Sequence, residues 1–315
     1  MLRRALLPLL GLLLLTTQPL ATWSIVCVNL KTREVGVASA TCLANFSLRT
    51  GVPVIAVGEG AAAAQSSIDI TGQNRRLIFL SFRDTDETPA QILARLAALD
   101  ESHQSRQYGI VNFVGDPVTF TGRLDGRAAT GVTGQIGDFH YAIQGNVLTG
   151  NEVVLAAEAA FRDEKGDMGQ KMMAAMEAAR ALGGDGRCSC SETAPRSCGV
   201  PPPNFTKSAH AGVAVIARIG DQNGPCSARD GCAQGDYYLA LNVRGDDDDP
   251  DPVFTLRDRY AVWRRHLAGR PDGALSQVRG VKALPADGLT ERTFFVELRD
   301  LEDEPLRHGL SLIHI

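Results

Sequence analysis

Apolar positions along the chain follow two periods, and segments with the same period come in blocks. Strand-like runs, rich in β-branched residues or alternating in polarity, occupy residues 22–42, 51–67, 107–122, 139–150, 211–219 and 236–244. Helical spacing occupies residues 88–100, 151–182 with a break near Gly166, and 251–267. Strands grouped with strands favour antiparallel sheet covered by helices, so the sequence predicts an α+β fold and not βαβ alternation.

The first strand-like run predicts a β-hairpin in which two apolar strands flank the polar loop KTRE. If Leu30 faces Val35 across that loop, polar side chains share one face at the far end of the hairpin. These are Thr22, Ser24, Ser39 and Thr41, with Ser24 opposite Thr41. Such a cluster is either a solvated strand edge or part of an active site, where its hydroxyls would bind or orient substrate.

The amino terminus has the pattern of a secretory signal. Arg3 and Arg4 precede an apolar run over residues 5–15, and a short segment of small and polar residues ends at Ala21. About ten helical residues span only ~15 Å, against about 30 Å of hydrocarbon, so this run is too short for a permanent membrane span. We therefore expect cleavage after Ala21, with residues 1–21 removed and the mature chain exported to the periplasm or secreted.

Composition excludes one class of function. The 315 residues carry a net charge of -4, and only 6% of them are aromatic. A nucleic-acid-binding surface needs a concentration of basic side chains, often interleaved with aromatic ones, that this balance lacks. We therefore expect no nucleic-acid partner.

Cysteines are concentrated in a Gly- and Pro-rich part of the chain between residues 186 and 235. The five in this part are Cys188, Cys190, Cys198, Cys226 and Cys232. An oxidising compartment favours disulfides among them, whereas the CxC spacing together with Cys198 leaves zinc ligation as an alternative. Cys27 and Cys42 lie in apolar strand-like runs and are predicted to be buried thiols.

Seven stretches, in order from Thr22 to about His266, resemble one known family. They are TWSIVCVNLKTREVGVASA, GEGAAAAQ, RQYGIVNFVGDPVTFTG, YAIQGNVLTGNEVV, GGDGR, SAHAGVAVI and DDDDPDPVFTLRDRYAVW. The family is domain-of-unknown-function family 1028 (DUF1028), which is grouped with the N-terminal-nucleophile (Ntn) hydrolases. The resemblance implies an αββα sandwich, in which two antiparallel sheets lie between helical layers.

In Ntn hydrolases the nucleophile is the first residue of the mature chain, and its own α-amine accepts the proton from the side-chain oxygen or sulfur. The resemblance implies this role for Thr22, which signal cleavage after Ala21 would expose. An α-amine with an ordinary pKa of about 7.7 to 8.0 keeps a useful neutral fraction at neutral pH. The alternative is that Thr22 only opens a strand, in which threonine is common.

Acyl transfer also needs hydrogen-bond donors for the developing oxyanion. The side chain of Asn146, with the backbone N–H of Gly145 or Gly150, is the candidate, although asparagine is also common in turns. Gln65 is a candidate for orienting substrate, and Asp185 with Arg187 for holding the terminal amine or a substrate carboxylate. For these three residues, a structural hydrogen bond or a Gly-Gly helix stop is the alternative.

The sequence predicts no metal site. The histidines are scattered without ligand spacing, and the run GDDDDPDP lacks the spaced ligands and the glycine of an EF-hand loop. We predict that this acidic run is a solvated turn before a helix. The Ntn mechanism requires no cofactor, and we expect none.

Two insertions interrupt the family resemblance, near residues 186–208 and 221–235. If consecutive strands are neighbours, both insertions lie near one rim, and disulfides between them would form a cap over the site. The main domain is predicted at residues 22–267, followed by an extension of unknown role at residues 268–309. The last residues, LSLIHI at 310–315, resemble the translation of a sequencing-library transposon end and are predicted to be an artefact.

Two functions from different classes agree with these patterns. The first is an exported hydrolase that cleaves an amide bond in a small-molecule or peptide-like substrate, such as a peptidoglycan fragment, an acyl-amino acid or a small peptide. The second is a non-catalytic exported binding or structural protein that uses the same sandwich. An oligomer is compatible with both.

Overall fold

The structure is a computed structural model and describes residues 22–273, 275–279, 293–306 and 312–314. The predicted export segment 1–21 lies outside these residues, and so do residues 310, 311 and 315 of the predicted artefact. None of the helices in the described part of the chain has the length and apolar character that a bilayer crossing requires.

Strands and helices come in blocks along the chain, as the periodicity predicts. The strands are β1 (Thr22–Asn29), β2 (Val35–Thr41), β3 (Pro53–Ala56), β4 (Gly60–Ser66), β5 (Arg106–Asn112), β6 (Val118–Thr121), β7 (Thr130–Ile136), β8 (Phe139–Asn146), β9 (Ala211–Ala217), β10 (Leu239–Val243), β11 (Gln277–Arg279), β12 (Thr293–Glu297) and β13 (Leu312–His314). The helices are α1 (Leu48–Gly51), α2 (Gln73–Asp84), α3 (Pro89–Leu99), α4 (Glu152–Asp163), α5 (Met168–Ala181), α6 (Gly186–Ser189) and α7 (Pro252–Leu267), with a 3-10 turn at His103–Ser105.

The described strands form two large antiparallel sheets and a small one. The six-stranded sheet has the order β10-β9-β2-β1-β8-β7, and the four-stranded sheet has the order β3-β4-β5-β6. The small sheet has the order β11-β12-β13; its first two strands belong to the C-terminal extension, and β13 lies in the predicted artefact. The fold is therefore mixed α and β with antiparallel sheets, as the block order predicts.

Three apolar clusters hold the layers together. The first packs α4, α5 and α7 on the six-stranded sheet, with Trp23, Tyr141 and Phe161 in its interior. The second fills the space between the two sheets and includes Val26 of β1 and Ile55 of β3. The third packs α2 and α3 on the four-stranded sheet. Each layer buries its apolar face against the next, and the order is consistent with the predicted sandwich.

The β1–β2 hairpin forms with a register two residues away from the predicted one. Ser24 lies opposite Ser39, and not opposite Thr41. The turn closes one residue earlier on each strand because Asn29 donates its N–H to the carbonyl of Glu34 at 2.8 Å. A shift of two residues keeps every side chain on its own face of the strand, so the predicted hydroxyl cluster stays together.

Among the elements longer than four residues, α2 and β7 were missed by the sequence analysis. Helix α2 begins after Gly72, which has a left-handed backbone (φ 71°) and provides no side-chain cap. Strand β7 has glycines at 131 and 134, which interrupt its alternation of polar and apolar residues. Helix α3, in contrast, was predicted because Thr88 is a good N-cap residue and the helical spacing after it is regular. The structure adds that Thr88 and Gln91 form a capping box at its start.

Three disulfides occur among the described residues, and one of them corrects a prediction. The pairs are Cys42–Cys188, Cys190–Cys198 and Cys226–Cys232. Cys42 was expected to be a buried thiol in a strand, but β2 ends at Thr41, so Cys42 lies just beyond the sheet, where it meets Cys188. Cys27 is a free, buried cysteine, as predicted.

The two insertions do not form a single cap, which overturns that prediction. No disulfide among the described residues joins them. The first precedes β9 and packs where Gly199 donates its N–H to the carbonyl of Thr149 at 2.7 Å. The second follows β9 and runs along β3, where Ile55 donates its N–H to the carbonyl of Cys232 at 2.9 Å. The first insertion ends just before β9 begins, and the second starts just after β9 ends. The two insertions therefore join β9 at its opposite ends and do not share a rim.

Candidate functional site

Thr22 opens β1, a strand in the middle of the six-stranded sheet. Strand β1 lies between β2 and β8, and Thr22 is directly opposite Asn146 of β8. The residue is buried, with 1% of its surface exposed. The register of two neighbouring strands therefore brings together the residue predicted as nucleophile and the residue predicted as oxyanion donor.

The hydroxyl cluster lies on the face of the sheet that points toward the four-stranded sheet. The Oγ atoms of Ser24 and Ser39 are 2.8 Å apart, and Ser39 donates to the carbonyl of Trp23 at 2.8 Å. Ser24 also donates to Oε1 of Gln65 in β4, across the layer, at 2.5 Å. Both serines are fully buried, so this cluster is not a solvated strand edge.

Gln65 connects the two sheets through a chain of amide hydrogen bonds. Its Nε2 donates to the carbonyl of Thr22 and to Oε1 of Gln107, each at 2.8 Å. Gln107 of β5 donates in turn to the carbonyl of Gly145 in β8 at 2.8 Å. Gly145 itself lies within the sheet, opposite Trp23 of β1. The chain of bonds thus runs from β1 through β4 and β5 to β8 and holds the Thr22 backbone in place.

Asn146 is held by two residues that the sequence analysis missed, Ser66 and Asp125. Nδ2 of Asn146 donates to Oγ of Ser66 at 3.2 Å, and Ser66 donates to Oδ1 of Asp125 at 2.6 Å. Oδ2 of Asp125 accepts the N–H of Gly122 at 2.9 Å. Burial raises the pKa of Asp125 to about 6. In the sequence, Asp125 sits in a polar RLDG segment, where aspartate is typical of a turn, and no signal set it apart.

A fourth amide side chain between the sheets, Gln144, has no hydrogen-bond partner among the described residues. Gln144 is fully buried and lies opposite Ser24 in the β1–β8 pair. It packs against Gly109 of β5, where an added Cβ would lie 2.2 Å from Oε1 of the amide. The Gln144 amide therefore fits at this position only because Gly109 has no side chain.

Asp185 and Arg187 lie at the end of β2. Nη2 of Arg187 is 2.7 Å from Oδ2 of Asp185 and donates to Oγ1 of Thr41 at 3.3 Å. Oδ2 of Asp185 also accepts the N–H of Cys42 at 2.7 Å. These contacts fasten the segment after α5 to the end of β2, beside the Cys42–Cys188 disulfide. Asp185 makes structural hydrogen bonds here, and Arg187 reaches the margin of the hydroxyl cluster.

Within the described part of the chain, one group of side chains has metal-ligand spacing. It consists of Cys42, Cys188 and His210, whose ligand atoms lie within 4.8 Å of one another. The two sulfur atoms form a disulfide, so this group can hold a metal only after reduction. A cavity of about 390 Å³ lies at the opposite end of β1, against Asn29 and Glu34. The surroundings of Thr22 are instead mostly neutral hydroxyl and amide groups.

Comparison with known proteins places this architecture in a family. A model of a family of unknown function, DUF1028, matches residues 22–195. A crystal structure of a protein from Silicibacter pomeroyi, described with the same family, has a TM-score of 0.56 and 17% sequence identity, over 77% of this chain and 88% of that chain. At this level of identity, the likeness shows a common fold alone. No curated protein matches the chain.

Proposed function

The chain belongs to the DUF1028 family, and we propose that it is an exported amide hydrolase of the Ntn type. In this proposal the layers of helices and sheets form an αββα sandwich of the Ntn kind. Thr22 is the nucleophile, and its α-amine is the general base. The substrate is a small-molecule or peptide-like amide.

One observation carries the proposal: Thr22 begins a central strand directly opposite Asn146, with the amide of Gln65 bonded to its carbonyl. A nucleophile and a side-chain amide donor therefore lie on neighbouring strands at the same end of the sheet. Both side chains belong to the buried layer between the sheets, where a hydrogen bond to a developing charge is stronger than in water.

The chemistry follows from these groups. Oγ1 of Thr22 attacks the amide carbonyl carbon while the α-amine takes the hydroxyl proton. The former carbonyl oxygen becomes the oxyanion, to which Nδ2 of Asn146 donates. The C–N bond then breaks, the leaving amine takes the proton from the ammonium group, and an ester remains on Thr22. A water molecule deprotonated by the α-amine hydrolyses this ester and releases the acid.

Export supports the same terminus. Disulfides are favoured in an oxidising compartment, and three occur among the described residues. The apolar run after Arg3 and Arg4 is typical of a signal peptide. Cleavage after Ala21 would both complete export and turn the amide nitrogen of Thr22 into a free α-amine.

N-terminal sequencing of the mature protein tests the proposal most directly. The full chain, with its own amino terminus, is produced in a Gram-negative host and purified from the periplasm or the medium. We expect the sequence TWSIV. A mature protein with any other first residue lacks the base on Thr22, and that result overturns the proposal.

Chemical labelling then separates an enzyme from a folded protein that merely has this terminus. An α′,β′-epoxyketone adds Oγ1 of Thr22 to its ketone carbon and the α-amine to its epoxide, closing a ring that only an N-terminal threonine or serine can form. We expect labelling of the wild type and of Thr133→Ala, a matched change on the exposed face of edge strand β7. Thr22→Ala should remain unlabelled while keeping the wild-type circular dichroism spectrum.

A second candidate function is a non-catalytic exported binding protein. The observation in its favour is the burial of Thr22, since an enzyme's nucleophile must meet its substrate. This function predicts a mature protein that starts at Thr22, remains folded and does not react with the epoxyketone at any pH between 6 and 9.

A further inference from the structure

We propose that Asp125, acting through Ser66, is a positioning residue that sets which end of the Asn146 amide faces the reacting carbonyl. This inference rests on the proposed function, because it assigns Asn146 the role of oxyanion donor. It starts from a chain of three hydrogen-bonded side chains: Asn146 on β8, Ser66 at the end of β4 and Asp125 in the loop after β6.

The direction of each hydrogen bond follows from the chemistry of the groups. An ionised carboxylate can only accept, so Ser66 must donate its single hydroxyl hydrogen to Oδ1 of Asp125, 2.6 Å away. The Ser66 oxygen is then an acceptor toward Asn146, which must present Nδ2 and not Oδ1 at 3.2 Å. One Nδ2 hydrogen is used in this bond, and the proposal assigns the second to the oxyanion.

A protonated Asp125 removes this constraint. The carboxylic acid can donate to Ser66, and Ser66 can then turn its own hydrogen toward Oδ1 of Asn146. In that arrangement an amide oxygen occupies the place of the donor, and an oxygen facing the oxyanion repels it. Ionisation of Asp125 is therefore expected to switch Asn146 between a form that stabilises the oxyanion and a form that does not.

The backbone has an uncommon conformation at two positions along this chain of hydrogen bonds. Ser66 has φ 73° and Val147 has φ 50°, in the left-handed region that residues with a Cβ rarely adopt. Each follows a candidate site residue directly, Gln65 in one case and Asn146 in the other. Val147 is held by its N–H bond to the carbonyl of Gly126 at 3.2 Å, beside Asp125. The loop that carries Asp125 is thus fastened to the strand end that carries Asn146.

The surroundings of Asp125 place its titration near neutrality. Burial is the largest influence and raises its pKa to about 6, although hydrogen bonds from Ser66 and Gly122 oppose this shift. Arg106 of β5 is the charged group among the described residues that also lowers the pKa of Asp125, and it is itself paired with Asp100 at 2.8 Å. The balance leaves the carboxylate ionised at neutral pH and protonated in mild acid.

Nuclear magnetic resonance tests the hydrogen-bond chain without any substrate. In the mature protein, the side-chain carbon of Asp125 and the Nδ2 hydrogens of Asn146 are followed from pH 4.5 to 8. We expect both signals to titrate together with a midpoint near pH 6 in the wild type, and the Asn146 signals to lose this titration in Ser66→Ala. Asn146 signals that stay constant while Asp125 titrates overturn the proposal.

The rate of epoxyketone labelling tests the consequence for Thr22. Below the α-amine pKa of about 7.7 to 8.0, protonation of the amine alone lowers the rate tenfold per pH unit. Protonation of Asp125 should steepen this fall below about pH 6 in the wild type, until the added loss reaches about tenfold. Asp125→Asn should keep the single slope throughout and label about tenfold more slowly at pH 7, a fraction of the loss caused by removing an oxyanion donor.

The control is Asp116→Asn, which changes an exposed aspartate in the β5–β6 turn and should keep the steeper fall in acid. A wild-type rate with a single slope down to pH 5 overturns the positioning role. If labelling is absent at every pH while the Asn146 signals still follow Asp125, the proposed function fails and the hydrogen-bond chain stands, so the two failures are distinguishable.

Discussion

The two ends of the six-stranded sheet are built from different chemistry. At the Thr22 end, the strands meet in a buried layer of hydroxyl and amide side chains, closed by the Cys42–Cys188 disulfide. At the hairpin end, Arg218 follows β9 and bridges Glu34 at 2.5 Å and Asp272 of the C-terminal extension at 2.6 Å. The printed side-chain hydrogen bond to the Thr22 backbone is therefore neutral, with the Asp185–Arg187 pair at the margin of the hydroxyl cluster, whereas full charges attach the extension.

As a result, the ion pairs that attach the extension lie at the opposite end of the sheet from the candidate nucleophile. A full positive charge beside an N-terminal threonine would lower the pKa of its α-amine, and a carboxylate would raise it. Neutral amides hold the backbone in place and perturb that pKa less. The hairpin end has no such restriction, so buried ion pairs can serve there as attachments with defined geometry.

The largest effect is expected from opening the covalent bond at the Thr22 end. The Cys42–Cys188 disulfide joins residues 146 positions apart, and Cys190–Cys198 joins residues 8 apart. In the chain-entropy model, replacing both cysteines by serine lowers the free energy of unfolding by about 5 kcal/mol for the long loop and about 2.5 kcal/mol for the short one. Urea denaturation of the two double variants measures the difference, and equal losses would contradict this account.

At the hairpin end, Arg218→Ala should lower the free energy of unfolding by about 4 kcal/mol, because two buried carboxylates lose their partner. The guanidinium also lies 3.4 Å from the ring centre of Tyr238, so packing is lost as well. Arg257→Ala is the matched control, since Arg257 pairs with Asp258 on the surface and should cost less than about 1 kcal/mol. Equal shifts of the denaturation curves in both variants would show that the buried pairs contribute no more to stability than the surface pair.

Within the Thr22 end, two glutamines allow a sharper test. Gln107 donates to Gly145 and Thr121, at 2.8 and 2.9 Å, and accepts from Gln65, so Gln107→Leu should cost about 2 to 3 kcal/mol. Gln144 is buried without a partner among the described residues, and Gln144→Leu should leave stability unchanged or raise it by up to about 1 kcal/mol. Thermal and urea unfolding should therefore show a loss of stability in Gln107→Leu and no loss in Gln144→Leu.

A further effect is a change of slope with pH. The pKa of Asp125 is raised to about 6 in the folded protein, so the folded state binds a proton that the unfolded state has released between about pH 4 and 6. The contribution of Asp125 to stability is therefore present in acid and is lost as pH rises through this window. The unfolding free energy of the wild type minus that of Asp125→Asn should fall from pH 4 to 6 and level off above pH 7.

Most of the fold is predictable from the sequence because its elements carry local signals. The N-cap residue Thr88, the break near Gly166 and the β-branched runs each mark an element that the structure contains. Helix α2 and strand β7 were missed because glycine replaces the usual start signal in one and interrupts the alternation in the other. Hairpin register failed by two residues because it depends on how the turn closes, which the strand pattern does not encode.

The candidate site was predicted mainly where one strand pair carries it, and Gln65 is the one predicted residue that reaches it from the second sheet. Thr22 and Asn146 were singled out by sequence, and the structure places them opposite each other. Ser66, Asp125 and Gln107 were missed because they reach the site from the second sheet and from a loop, so their proximity depends on the packing of two sheets. The Cys42–Cys188 pairing was missed for the same reason, since its two residues meet only after β2 and the segment following α5 are side by side.

The central position of β1 implies an order of events in the biogenesis of the protein. Thr22 is part of the sheet from its first residue, paired with Asn146 and buried. A peptidase needs an extended, accessible chain around the bond that it cuts, and a docked central strand offers none. If the bond before Thr22 is the one that is cut, cleavage must therefore come before β1 docks. Under the proposed function, the yield of active protein is then decided by a kinetic competition between the peptidase and folding.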